Sequence, residues 1–293
     1  MVTKVGYIGL GRMGLLMASN AATAGFDQMV YDLRDEPLQE LAKLGAQVAR
    51  SAKEVGAHAE VVEMSVVNDE QVEEVVFGDD GVLAGAKPGT VIAIHSTIQP
   101  RTAVKIGEAA KEKGVGVLDA PVSGAQGGAR GRTLCYMVGG EASLLERCRP
   151  VFEASGAHII HTGPLGTGSA MKLTQQVIYC LTQLAAYEGM SLAGKAGVDI
   201  KAAQEVMHHA LGGSEVTDNY QERYGGKGDP WRQQFSAMLW SVSPAIELGY
   251  DLGVPMPATA LMQQLFPLVG QTADPARRRS SRQGIAQRAA ARR

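Results

Sequence analysis

The sequence predicts an α/β protein: a doubly wound, mostly parallel sheet followed by an all-helical second half. Three observations carry this expectation. Short apolar runs alternate with helical stretches up to about residue 160, a glycine-rich turn joins the first run to the first helix, and strand-like runs cease after Gly168. Strands and helices alternating at this spacing imply a parallel sheet with helices on both faces.

In chain order, residues 4–8 read as a strand and Gly14–Ala24 as an Ala-rich helix. Met29–Tyr31 gives a second strand and residues 36–43 a second helix. Further apolar strands fall at Val61–Met64, Val91–Ile94 and Val115–Leu118, with a helix over 101–113, and 133–138 and 157–160 complete the sheet. From Ser169 to Lys195 there is no proline and apolar residues keep a helical period, which predicts one helix of about 40 Å at 1.5 Å per residue. Helices are also expected near 199–210, 232–251 and 256–269. The expected domains are 1–163, 164–272 and a basic tail, 273–293.

Composition narrows the class. Of 293 residues, 45% are hydrophobic and 20% charged, ordinary for a soluble chain that buries a core. No apolar run approaches the ~18 residues of a membrane helix, and the N-terminus runs directly into a strand, so the expected address is cytoplasmic. Cys135, Cys148 and Cys180 form no metal or disulfide spacing, and no metal is expected. The tail holds seven arginines and one acid, Asp274, a local charge of +6. The remainder has 21 basic and 29 acidic side chains, or −8, which argues against specific nucleic-acid binding by the folded body. The tail has one large aliphatic residue, Ile285, too little to offset an ordering cost of ~1–2 kcal/mol per residue. Truncation after Gln271 is therefore expected to leave activity and melting temperature unchanged; a large loss of either places the domain's end beyond Gly270.

The glycine-rich turn is Gly9-Leu10-Gly11-Arg12-Met13-Gly14, set between a strand and a helix. The first glycine permits the tight turn, the second lets the backbone approach a pyrophosphate, and the third allows close helix–strand packing. Asp32 ends the second strand, where a carboxylate accepts hydrogen bonds from ribose hydroxyls and repels a 2′-phosphate. This is a Rossmann-type dinucleotide site with NAD expected; the nearby Arg34 leaves NADP open. His95, His158 and His161 show no metal spacing and no partner carboxylate in sequence, and are expected as strand-end histidines.

The wider string from Gly9 to Asn20 resembles the signature of the β-hydroxyacid dehydrogenases. Four more segments look like the same family in the same order: His95-Ser-Thr97, Asp119-Ala-Pro-Val-Ser123-Gly124, Gly166-Thr-Gly168-Ser-Ala-Met-Lys172, and Asp251-Leu-Gly-Val-Pro255-Met-Pro257. The resemblance covers roughly residues 1–270. It implies hydride transfer between NAD and a small anionic 3-hydroxy acid or its semialdehyde, with Lys172 as general acid/base. It further implies that Ser123, Gly124 and Ala125 hold the substrate carboxylate, assisted by the Gln175 amide. Thr97 is placed near the nicotinamide ribose, with Val66, Val67 and Trp240 beside the cofactor.

Departures are visible. Glutamine stands at 175 where the family has asparagine, Ala125 where it often has glycine, Val66-Val67 for Leu-Pro, and Trp240-Ser241 for a lysine and an aspartate. The alternatives are an NADPH-linked semialdehyde or imine reductase, or a non-catalytic dehydrogenase-like module. The changes at Gln175 and Trp240 favour the module; Lys172 and Ser123-Gly124 oppose it. The helical half resembles domains that assemble as homodimers or homotetramers.

Overall fold

The structure, a computed structural model, describes residues 3–224 and 242–271. Trp240 and the 273–293 tail lie outside these residues, as does the 232–241 part of one expected helix.

Among the described residues, nine strands form one sheet: β1 (Lys4–Ile8), β2 (Asp27–Tyr31), β3 (Gln47–Val48), β4 (Val61–Met64), β5 (Val91–Ile94), β6 (Gly116–Asp119), β7 (Val122–Ser123), β8 (Leu134–Gly139) and β9 (Gly156–Gly163). Their order is β3-β2-β1-β4-β5-β6-β8-β7, with β9 also pairing β8. The first six strands run parallel, β8 is antiparallel to β6 and β7, and β9 is parallel to β8. The fold is the mostly parallel one expected. Strands β3 and β7 escape a sequence reading because two residues show no alternation.

Side-chain alternation explains why the sheet is covered twice. Val5, Tyr7, Val61, Val91 and Ala93 enter one core; Ile8, Val62, Met64, Ile92 and Ile94 enter the other. A period of two sends successive residues to opposite faces, so wholly buried strands need apolar residues at nearly every position. The first face packs on α1 (Gly14–Thr23), α2 (Asp35–Ala42), α7 (Ala125–Gly131) and α8 (Ala142–Glu153), through residues such as Met17, Leu41, Ala129 and Phe152. The second packs on α3 (Ala52–His58), α4 (Asp69–Phe77), α5 (Val82–Gly85) and α6 (Pro100–Lys111), through Val55, Val72, Val82 and Ile106. Local signals start these helices: Ser51 and Asn68 accept from the N–H groups of Glu54 and Gln71, and Pro100 opens α6.

The long helix α9 (Thr167–Lys195) has 29 residues. Contacts divide the chain within it, one compact unit ending at Thr174 and the other starting at Gln175. In the second unit, Ala186 and Met190 of α9 pack with Ala203 of α10 (Ile200–His209). Val216 of α11 (Glu215–Asp218) and Tyr220 and Tyr224 of α12 (Tyr220–Tyr224) join the same cluster. The Tyr224 hydroxyl donates to Gln183 Oε1 at 2.9 Å, satisfying two buried polar groups at once. Helical residues 242–251 (α13) and α14 (Pro257–Gln271) supply Val242 and Met262 around Cys180. No strand occurs among the described residues of this unit.

Candidate active site

The glycine-rich turn leads from β1 into α1. Gly9 has φ +84°, a left-handed conformation in which an added Cβ would strike Ser65 and Val66. A Cβ on Gly14 would collide with the Gly9 carbonyl, so this glycine lets the helix start against the turn. A Cβ on Gly11 would meet nothing within 4 Å, leaving the backbone there open to a ligand. Leu10 is buried and Met13 packs against the first core, so these two anchor the turn.

A cavity of about 720 Å³ opens beside the turn. Of the expected cofactor residues, Gly9, Gly11, Arg12, Asp32, Val66 and Val67 line it. Arg50 and Ser51, in the loop after β3, and Gln71 and Glu74, on α4, line it as well, and no sequence motif marks them. Leu10, Met13, Gly14 and Thr97 do not line it.

Asp32 is fixed at the cavity wall. Its Oδ2 accepts from Leu10 N at 2.6 Å, while Oδ1 accepts from Arg34 N and Nε at 2.9 and 3.0 Å. Arg34 Nη2 also donates to the Leu10 carbonyl at 2.9 Å. Burial pushes the Asp32 carboxyl upward, but the Arg34 and Leu10 donors outweigh this and hold it below the ordinary value. The open backbone at Gly11, the start of α1 and the anchored carboxylate together fit a dinucleotide.

The second group of expected residues forms around the start of α9. Lys172 is buried, and its Nζ donates to the Val122 carbonyl at 2.9 Å. That carbonyl immediately precedes Ser123, which is half-buried at the end of β7, with Gly124 and Ala125 exposed beyond it. The turn needs left-handed backbone twice running, φ +128° at Gly124 and +51° at Ala125. Alanine at the second position is strained by ~1–2 kcal/mol, the cost of Cβ crowding in that region. Glycine would carry no such strain at this position. Asn20, from the first motif, donates to the Ala129 carbonyl at 2.8 Å and so ties α1 to α7. Gln175 lies three residues beyond Lys172 on α9 and is half-buried.

Asp119, in sequence only one member of the 119–124 motif, organises this group. Its carboxylate accepts from Gly166 N at 2.8 Å and from Ser169 N, two N–H groups at the start of α9 with no intrahelical partner. Gly139 and Gly168 permit this approach, since a Cβ on either would strike the Asp119 side chain or backbone. Burial lifts the Asp119 carboxyl above its ordinary value, against the pull of these donors.

His95 requires a correction. It has a carboxylate partner: Nε2 lies 2.9 Å from Glu63 Oε2, and Nδ1 lies 2.7 Å from the Ala120 carbonyl. The usable signal was Glu63 itself, a charge inside the apolar run Val61–Val67.

Two family models match the chain. The NAD binding domain of 6-phosphogluconate dehydrogenase covers residues 4–163, and the NAD-binding domain of NADP-dependent 3-hydroxyisobutyrate dehydrogenase covers 166–281. An NAD-dependent L-serine dehydrogenase of Pseudomonas aeruginosa is 40% identical over 74% of this chain and 73% of its own. A 2-(hydroxymethyl)glutarate dehydrogenase of Eubacterium barkeri is 33% identical over 90% and 88%. Among solved structures, a Mycobacterium tuberculosis 3-hydroxyisobutyrate dehydrogenase with L-serine matches at TM-score 0.82 and 30% identity, covering 92% of this chain and 94% of that one. The chain belongs to the β-hydroxyacid dehydrogenase family, NAD(P)-dependent oxidoreductases acting on the CH–OH group of hydroxy acids. No helix among the described residues is long and apolar enough to cross a membrane.

Proposed function

We infer that this enzyme oxidises a small 3-hydroxy acid, or reduces the matching semialdehyde, with NAD preferred over NADP. The observation that carries the reading is the buried Lys172, hydrogen-bonded at the carbonyl next to Ser123. When bound, the nicotinamide ring supplies the hydride acceptor. Lys172 Nζ takes the proton from the substrate hydroxyl, and in the reverse direction returns it while its charge favours the developing alkoxide. The Ser123 hydroxyl and the backbone N–H groups at Gly124 and Ala125 hold the substrate carboxylate, with the Gln175 amide as a further donor. Gly9 to Gly14 hold the pyrophosphate, Asp32 the adenosine ribose, and Val66, Val67 and Thr97 the nicotinamide end. Trp240 is assigned beside the cofactor by resemblance.

The test is NADH formation over a panel of small hydroxy acids that includes L-serine, 3-hydroxyisobutyrate and 2-(hydroxymethyl)glutarate. Saturable turnover of at least one supports the reading; none, from protein that binds NADH in a direct titration, favours the non-catalytic module. Residues 1–163 are assigned to cofactor binding and 164–272 to substrate binding and assembly, as a homodimer or homotetramer. Exposed Ile178, Leu192, Val206 and Leu211 support an assembly surface on the helical unit.

Cofactor choice gives a sharper expectation. Asp32→Ser removes the carboxylate that repels a 2′-phosphate and releases the Arg34 guanidinium from its ion pair, so NADPH affinity rises and NADH affinity falls. Direct titration of both cofactors checks this. A wild-type preference for NADPH overturns the role of Asp32. Because the Asp32 carboxyl is held low, its stabilising contribution is complete above the ordinary carboxylate value and is lost only as pH falls through the lowered one. Its share of NADH binding therefore persists into mild acid.

A further inference from the structure

Glu63 and His95 form a buried ionisable pair beside the first core. Their side chains are 0% and 1% exposed, and they sit among Tyr7, Tyr136, Phe152 and Cys148. Alternation explains how they meet: Val61 and Glu63 of β4 face the same way as Val91, Ala93 and the residue after β5, His95. The Ala120 carbonyl can only accept, so the imidazole carries a proton on Nδ1, and the 2.9 Å contact between Nε2 and Glu63 holds a second. Burial disfavours the charged imidazole, but the Glu63 carboxylate and the Ala120 carbonyl outweigh this and hold His95 above its ordinary value. Apolar packing of similar volume serves a core at least as well as a buried ion pair, so stability alone gives no reason for these residues.

What the pair joins gives one. His95 is followed by Ser96-Thr97, and Ser96 Oγ accepts from Val66 N at 2.9 Å, linking the loops after β4 and β5. Ala120 lies between Asp119, which holds the start of α9, and Val122, whose carbonyl receives Lys172. One side chain thus spans from the loops assigned to the nicotinamide end to the segment that holds the lysine.

We propose that Glu63 and His95 are positioning residues, whose buried contact fixes the Ser96-Thr97 segment relative to residues 119–123 and so sets the geometry of hydride transfer. The inference rests on the functional reading above. Single variants leave a buried partner orphaned and can fail to fold, so the decisive variant is the double replacement Glu63→Met with His95→Leu, which removes both groups together. The double replacement still leaves the Ala120 carbonyl without its donor, so the melting temperature is expected to fall by several degrees with the protein still folded, and NADH to titrate in with Kd within about threefold. Its kcat should fall ~10–100-fold, the range for losing groups that orient a reacting centre. Amide hydrogen exchange in peptides spanning 95–99 and 119–124 should accelerate, a readout that needs no turnover.

A folded double variant with kcat within twofold of wild type overturns the proposal. If the wild-type protein oxidises none of the acids, the functional reading fails and the exchange comparison decides alone. Unchanged exchange in both peptides then overturns the inference, and faster exchange in both supports it.

Discussion

Lys172→Ala lowers kcat by ~10²–10⁴-fold, the range for losing a general acid/base group, while NADH still titrates in with nearly unchanged affinity. The separation follows from position. Lys172 belongs to the cluster around Val122 and Ser123, whereas the cavity beside the glycine-rich turn is lined by other residues. Lys172→Arg does not restore the rate, because a guanidinium stays protonated and cannot accept a proton from the hydroxyl. A melting curve must accompany the kinetics, since truncation leaves the Val122 carbonyl without its buried partner. Near-normal turnover in folded Lys172→Ala removes this lysine from the chemistry.

The second large effect is expected at a residue that touches no substrate. Asp119→Ala strips the acceptor from two N–H groups at the start of α9 and costs ~1–3 kcal/mol, the penalty for orphaned buried donors. In a protein of this size that corresponds to several degrees of melting temperature. Lys172 follows within a turn of these contacts, so kcat falls as well, by ~10–100-fold, because misplacing a reacting group by about 1 Å carries that cost. Asp119→Asn loses less stability than alanine, since one oxygen still accepts, but its amide N–H faces a donor and the rate is only partly recovered. A folded Asp119→Ala with wild-type kcat shows that α9 is held at its start by other means.

Much of this site was legible in the chain itself, for a physical reason. The phosphate turn needs glycines at fixed spacing because backbone must approach backbone, and only the absence of Cβ permits it at Gly9 and Gly14. Asp32 is legible as a candidate because the second strand of a dinucleotide-binding fold ends beside the place a ribose takes. The doubly wound core is legible because wholly buried strands are written as continuous apolar runs. Helix ends within a residue or two of expectation reflect caps and prolines that act locally, as at Pro100.

The rest depends on chain segments that are distant in sequence. Nothing local pairs Asp119 with Gly166 and Ser169, nearly fifty residues on, or Glu63 with His95 across two strands. Ala125 looks permissive in the sequence, and only the backbone shows it held at φ +51°. The sequence by itself determined the sheet and the glycine-rich turn, because periodicity and glycine sterics act within a few residues; the lysine is marked only by the family resemblance of the Gly166–Lys172 segment. Only the tertiary structure decided what holds the lysine and joins its segment to the cofactor loops. Those partners meet through buried hydrogen bonds, which burial makes costly to leave unmade and whose partners are set by strand register, not by sequence distance.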